Sequence, residues 1–353
     1  MRILITGGGG YLGNWVTAAA LDAGHSVRVF DRFCFLPEDM HPQALFDFSH
    51  DGAALELIHG DIRRLQEVEG LFSGIDAVIH LAGLSNDPTC VLDEDMTYDV
   101  NVESTRELAK HAIQAGVKRF VFASTCAVYG HGVFHILDEE SPANPVSVFS
   151  RSKLEAEQSL LSMQSSGFEL VVARLGTLFG CSRRMRFDLA INQMTATALR
   201  QERIEVRGGG NQWRPFIHVR DAAKALLAFV DAPANTVAGE IFNVGDDTKN
   251  IRIIDLAQKV ADQVGHVTVE VAKDDDDLRN YHVSFSKIAD RLGFSCVYDV
   301  KTGVAEVQEL LADTTINPFA EAYFNVDRLK RLRAMPVDEG GDPVATRFIP
   351  LSR

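Results

Sequence analysis

The chain has 353 residues, enough for one large domain or two ordinary ones, and its 46% apolar and 24% charged residues match a soluble globular protein. A formal net charge of −14 argues against a nucleic-acid scaffold or a binder of anionic membranes. The five cysteines never form a C-x-x-C pair, so neither a zinc site nor a disulfide framework is expected, and reduced thiols in a cytoplasmic protein are. No apolar run approaches a membrane span, and a first strand beginning at residue 2 leaves no room for a signal peptide.

In chain order, 2–6, 26–30, 55–59, 76–82, 119–124 and 169–175 read as strands, β-branched or aromatic and bounded by glycine or polar residues. Amphipathic stretches at 12–24 and 101–116 lie between them. Near-continuous apolar strands alternating with helices predict an α/β fold, a Rossmann-type doubly wound parallel sheet covered on both faces. This places a nucleotide-binding domain at 1–175 and a smaller C-terminal substrate-binding lobe at 176–330, with some elements returning to the first domain. The second part has helical patterns at 190–201, 221–230 and 253–264, a turn at 207–215 and a strand-like 239–245. "KDDDD" (273–277) reads as a solvated loop, and the tail 331–353 has no assignable role.

The first strand runs into "TGGGGYLG", with Gly7, Gly10 and Gly13 spaced G-x-x-G-x-x-G around Tyr11 and Leu12. Glycines between a strand and a helix allow a tight turn and let the backbone approach a pyrophosphate at the helix N-terminus. Asp31 ends the second strand, about 20 residues on, where a carboxylate meets the adenosine ribose. It favours NAD over NADP, although Arg32 beside it suits the phosphorylated form. Asp61, followed by Ile62, fits the adenine, or alternatively a turn cap.

Together with "HLAG" (80–83), "NVESTRELA" (101–109), "FASTCAVYG" (122–130), "RPFIHVRD" (214–221) and "FNVG" (242–245), these motifs resemble the extended short-chain dehydrogenases, specifically the nucleotide-sugar epimerase and dehydratase group, over residues 1–315. The resemblance implies NAD as cofactor, a nucleotide-diphosphate sugar as substrate, and a homodimer formed through helices at 101–116 and 150–165. It places Leu81, Ala82 and Gly83 in the cofactor cleft, a hydroxyl for the sugar oxygen at Thr125, and a lysine for the nicotinamide ribose at Lys153. It implies diphosphate-binding arginines at Arg214 and Arg279, and substrate contacts at Ser85, Thr177 and Asn192; the basic run Arg183, Arg184 and Arg186 fits either the substrate or an exposed basic face. Thr177 stands where many epimerases have Asn. "RMRFDL" resembles a subset acting at carbon 4 of nucleotide-linked hexoses or heptoses.

The positions after Thr125, which carry an acidic pair in the 4,6-dehydratases of this family, are Cys126 and Ala127. That argues against 4,6-dehydration and leaves carbon-4 epimerisation, oxidation or keto reduction. Cys126 reads first as a small buried thiol, with proton chemistry in a 3- or 5-epimerase as the alternative. One helical turn before Lys153, where the family has its catalytic tyrosine, stands Phe149. Three readings stay open: a Tyr→Phe change introduced to trap a complex, an enzyme using another base through Thr125 and water, and a protein that only binds its nucleotide sugar.

Overall fold

The computed structural model describes residues 1–36, 40–46, 54–272 and 279–335; the acidic run 273–277 and the tail from 336 lie outside the described residues. Among the described residues are strands β1 (Arg2–Thr6), β2 (Ser26–Asp31), β3 (Leu55–His59), β4 (Ala77–His80), β5 (Arg119–Thr125), β6 (His131–Leu137) and β7 (Glu169–Leu175). The second half carries β8 (Thr177–Phe179), β9 (Arg203–Val206), β10 (Trp213–His218), β11 (Glu240–Val244), β12 (Asn250–Arg252), β13 (Thr268–Val271) and β14 (Asn280–Val283).

The helices are α1 (Tyr11–Asp22), α2 (Asp87–Val91), α3 (Glu94–Tyr98), α4 (Ser104–Gln114), α5 (Val148–Leu161) and α6 (Ala190–Gln201). They continue as α7 (Val219–Asp231), α8 (Ala234–Val237), α9 (Ile253–Val264), α10 (Ser286–Leu292), α11 (Val300–Ala312) and α12 (Asn325–Ala334).

Seven strands form one parallel sheet in the order β11-β7-β5-β4-β1-β2-β3. Order reverses beside β1, and such a switch point opens a crevice at the carboxyl ends of the strands. Both faces are covered, which explains the continuous apolar strands. Val16, Ala20, Leu226 and Phe229 of α1 and α7 pack one face, and Leu108, Ala112, Ala156 and Leu160 of α4 and α5 the other. A separate core of Ile191, Ile204, Phe216, Leu256 and Val260 holds the second lobe.

All six strands read from the first half are present, with ends shifted by a few residues. The 239–245 stretch becomes β11 and completes the central sheet against β7. The helical stretch at 101–116 is shorter than its pattern: α4 starts at Ser104, because a π-turn over Asp99–Glu103 precedes it. In that turn Asn101 bonds Leu84 and Ser152, fixing the segment next to the crevice.

Candidate active site

A cavity of about 590 Å³ lies at the carboxyl ends of the strands, between the sheet and the second lobe. One wall is the glycine turn between β1 and α1. Gly7 has φ +74°, and a Cβ there would sit 2.6 Å from the Ala82 nitrogen. A Cβ on Gly13 would come within 2.2 Å of the Gly7 carbonyl oxygen. Only glycine lets β1, α1 and the strand-end segment Leu81–Gly83 approach so closely, and the result is a backbone cradle at a helix N-terminus. His80, buried under this cradle, joins Thr6 (2.7 Å) to Thr105 (2.8 Å) and is held neutral by burial.

Asp31 and Asp61 end β2 and follow β3 at the same wall. The Asp31 carboxylate accepts the backbone N–H of Gly9 (2.9 Å) and of Phe33 (2.6 Å), and burial pushes its carboxyl up. Asp61 caps its turn by accepting from the Arg63 N–H (2.9 Å), which is the turn-cap reading of this residue. Burial opposes its ionisation, but the Arg63 hydrogen bond and the Arg32 charge 3.3 Å away hold it below the usual carboxylate range. Arg32 and Ile62 line the cavity with them, as do Tyr11 and Leu12.

Thr125, Phe149 and Lys153 reach the same cavity. Thr125 ends β5, and its Oγ1 accepts from the Ala127 N–H (3.1 Å). Phe149 and Lys153 sit one turn apart on α5, whose start is fixed by a reciprocal cap: Ser147 Oγ accepts the Ser150 N–H and Ser150 Oγ the Ser147 N–H. Lys153 is buried, with Nζ 4.2 Å from the centroid of the Phe122 ring. Burial pushes its ammonium down to about 8, against the pull of Glu157 one turn on.

Glu157 belongs to a buried polar network behind Thr125 that the sequence did not announce. It accepts from Ser124 Oγ and pairs with Arg174 at 2.8 Å; Arg174 in turn donates to the Tyr129 hydroxyl (3.0 Å).

Of the residues read as substrate contacts, Ser85, Thr177, Arg184, Arg186 and Arg279 line the cavity, and Cys126, Arg214 and Asn192 do not. Cys126 is buried with its thiol donating to the Arg174 carbonyl (3.1 Å), and burial pushes that thiol far above its ordinary range. Arg214 turns inward: it donates to the Trp213 carbonyl at 2.8 Å and to the Arg279 carbonyl, and stacks 5.1 Å over the Tyr281 ring. Asn192 is used up internally, accepting from the Gly180 N–H (3.0 Å) and donating to the Tyr11 hydroxyl (3.2 Å) and the Arg186 carbonyl (2.9 Å).

Arg186 forks onto Asp188 (2.8 and 3.0 Å) and reaches Ser85 (3.2 Å). Arg279 pairs with Asp87 at 2.5 Å, and the other Asp87 oxygen is buried without a hydrogen-bond partner among the described residues. Asp87, Tyr281 and the helix α12, with Asn325, Leu329 and Leu332, complete the lining. Nothing local marks Asp87 or Tyr281 as lining residues. A leucine pair three apart in "NVDRLKRLR" was the available hint that 325–333 buries a face.

No group of three or more His, Cys, Asp or Glu among the described residues is placed to hold a metal. No described helix is long and apolar enough to cross a membrane.

The glycine cradle, with its neighbouring carboxylates, fits a dinucleotide, and comparison with known proteins agrees. The family model described as "NAD dependent epimerase/dehydratase family" matches residues 3–245. UDP-glucuronic acid decarboxylase 1 of Xenopus tropicalis is 27% identical over 312 residues, covering 86% of this chain and 70% of that protein. UDP-glucose 4-epimerase of Neisseria meningitidis serogroup C is 28% identical over 266 residues, covering 69% of this chain and 77% of that protein. The solved structure of MoeE5 in complex with UDP-glucuronic acid and NAD superposes with a TM-score of 0.73 at 24% identity, over 88% of this chain and 99% of that one. With its parallel sheet, its glycine cradle and the match over both halves of the fold, this chain belongs to the NAD-dependent epimerase/dehydratase family.

Proposed function

We propose that the chain binds NAD and a nucleotide-diphosphate sugar and carries out redox chemistry at carbon 4 of that sugar, as a 4-epimerase or 4-dehydrogenase, with its chemical step slowed by Phe149. The observation that carries this reading is the convergence of Thr125, Phe149 and Lys153 on the cavity that also contains the glycine cradle and Arg279. NAD, when bound, supplies a reversible hydride acceptor.

The protein's own groups handle the proton and the substrate. Thr125 accepts from the Ala127 N–H and keeps its own O–H to donate to the sugar oxygen. Phe149 supplies an apolar wall where a phenol would take the proton. Lys153, pushed down to about 8 by burial, gives up its proton more readily than an exposed lysine and then serves as a proton acceptor at this wall, directly or through water. Arg279 suits a diphosphate because a guanidinium stays charged and grips two oxygens at once. Ala127 brings no acid to the cavity and Cys126 faces the core, which supports carbon-4 chemistry over 4,6-dehydration.

The protein as written and Phe149→Tyr, both loaded with NAD, are to be incubated with UDP-, dTDP- and GDP-linked hexoses. Nicotinamide absorbance and the sugar's NMR spectrum are followed. General acid–base assistance contributes about 10²–10⁴-fold, and the tyrosine variant is expected to gain a factor of that order. A variant that binds a sugar nucleotide tightly yet converts none of them overturns the reading. Turnover by the protein as written excludes a role confined to binding.

A further inference from the structure

The segment 181–188, which follows β8 and precedes α6, contributes Arg184 and Arg186 to the cavity lining. Ser182 donates to the Tyr11 carbonyl (2.8 Å), Trp15 donates to the Cys181 carbonyl (2.8 Å), and Arg183 reaches the Ala44 carbonyl (3.2 Å). Arg184 in its middle is buried and lines the cavity. Its guanidinium lies 5.1 Å from the Phe35 ring centroid, and Nη2 donates to Asn325 Oδ1 at 2.5 Å. Among the described residues no carboxylate pairs with it directly, and its Nε–H is buried without a partner.

A buried cation with an unspent donor is costly unless an anion meets it. Of its surroundings, Asp31, Cys34 and Phe35 all belong to β2 and the turn after it, where the sequence places the adenosine ribose; Arg186 and Asp188 come from its own segment. The anchoring is elaborate. The Asn325 N–H donates to Asp188 (3.2 Å) and its side-chain amide to Ser85 (3.4 Å). Arg328, one turn along α12, donates to the carbonyls of Cys34 (3.1 Å) and Leu36 (3.0 Å). So α12 is tied both to the turn after β2 and to the segment that carries Arg184.

We infer that Arg184 closes over NAD from the second lobe and donates its Nε–H to the dinucleotide's pyrophosphate, with Asn325 of α12 as its positioning residue. The glycine cradle meets the same pyrophosphate from the first domain, so the cofactor is clasped between the two and is retained from one turnover to the next.

A pyrophosphate also occurs in the sugar nucleotide, and the test separates the two sources. Full-length protein loaded with labelled NAD is diluted into excess unlabelled NAD, and the label retained after desalting gives the release rate. UDP and dTDP binding is measured by calorimetry on the same samples. Arg184→Gln is expected to speed NAD release about tenfold or more, with nucleotide-diphosphate affinity within about twofold of the parent. Asn325→Ala, which leaves the guanidinium in place, is expected to speed release by a smaller factor. Unchanged NAD release overturns the inference. So does a loss of UDP and dTDP affinity with NAD retention intact, which would assign Arg184 to the substrate. If Arg184→Gln does not fold, Asn325→Ala decides, and unaltered release in that variant overturns the inference. None of these readouts requires turnover, so they stand whether or not the carbon-4 reading does.

Discussion

Lys153 carries its charge inside the protein, and replacing it with methionine removes the charge while keeping most of the side chain. Burial pushes its ammonium from 10.5 down to about 8, the Glu157 carboxylate acting the other way. When the folded-state pKa is the lower one, the unfolded chain binds more protons between the two values, and stability rises with pH across that window. The window here runs from about pH 8 to about pH 10.5. At 1.36 kcal/mol per pH unit, the gap corresponds to about 3 kcal/mol of destabilisation at neutral pH. That cost vanishes once the amine is neutral in both states.

Lys153→Met is therefore expected to exceed the parent in stability near pH 7, and the difference between the two is expected to shrink by about 3 kcal/mol by about pH 10.5. Urea unfolding of NAD-free protein, followed by the fluorescence of Trp15 and Trp213 at both pH values, reads this directly. A difference that is the same at both would refute the reasoning, because it would show that packing, and not the buried charge, separates the two proteins.

Glu157→Gln strips the carboxylate from a fully buried pair and leaves Arg174 uncompensated, which is expected to cost about 3–5 kcal/mol in the same unfolding assay; a cost below about 1 kcal/mol would mean that the network does not hold Arg174. Gly13→Ala drives a methyl group against the Gly7 carbonyl and is expected to abolish NAD binding in a fluorescence titration, and near-parental affinity would exclude the cradle as the cofactor site. Arg279→Gln is expected to weaken UDP or dTDP binding about tenfold or more, with NAD retention unchanged; unaltered nucleotide-diphosphate affinity would remove Arg279 from the substrate site. Light scattering is expected to give a dimer joined through α4 and α5, and a monomer at micromolar concentration would refute that assembly.

The parts of this molecule that were legible in the sequence are those set by neighbours along the chain. Strands packed on both faces announce themselves as apolar runs, and the glycine turn, the carboxylate ending β2 and the Phe149–Lys153 pair each depend on spacing over a few residues. What stayed hidden depends on contacts between distant segments. Arg214 and Asn192 have the chemistry of ligand-binding side chains, yet their polar atoms are consumed by carbonyls of Arg279, Gly180 and Arg186. Asp87 meets Arg279 across nearly two hundred residues, and Arg328 of α12 reaches back to the turn after β2. No local pattern encodes such pairings. The partner for the buried Arg174 was likewise invisible, because Glu157 reads only as another charge on an amphipathic helix.

The edge position of β11 bears on how the chain reaches its folded form. During synthesis the first six strands of the sheet are complete when residue 175 emerges, but β7 then presents an open flank whose residues Val171, Val172 and Ala173 are fully buried in the finished protein. Its pairing partner is made only after the whole of α6 and α7. An unpaired apolar strand edge is a template for association with other chains. A ribosome paused between β7 and β11 would thus hold a half-built sheet most in need of chaperone cover, and a fragment ending at residue 175 would carry that vulnerability permanently.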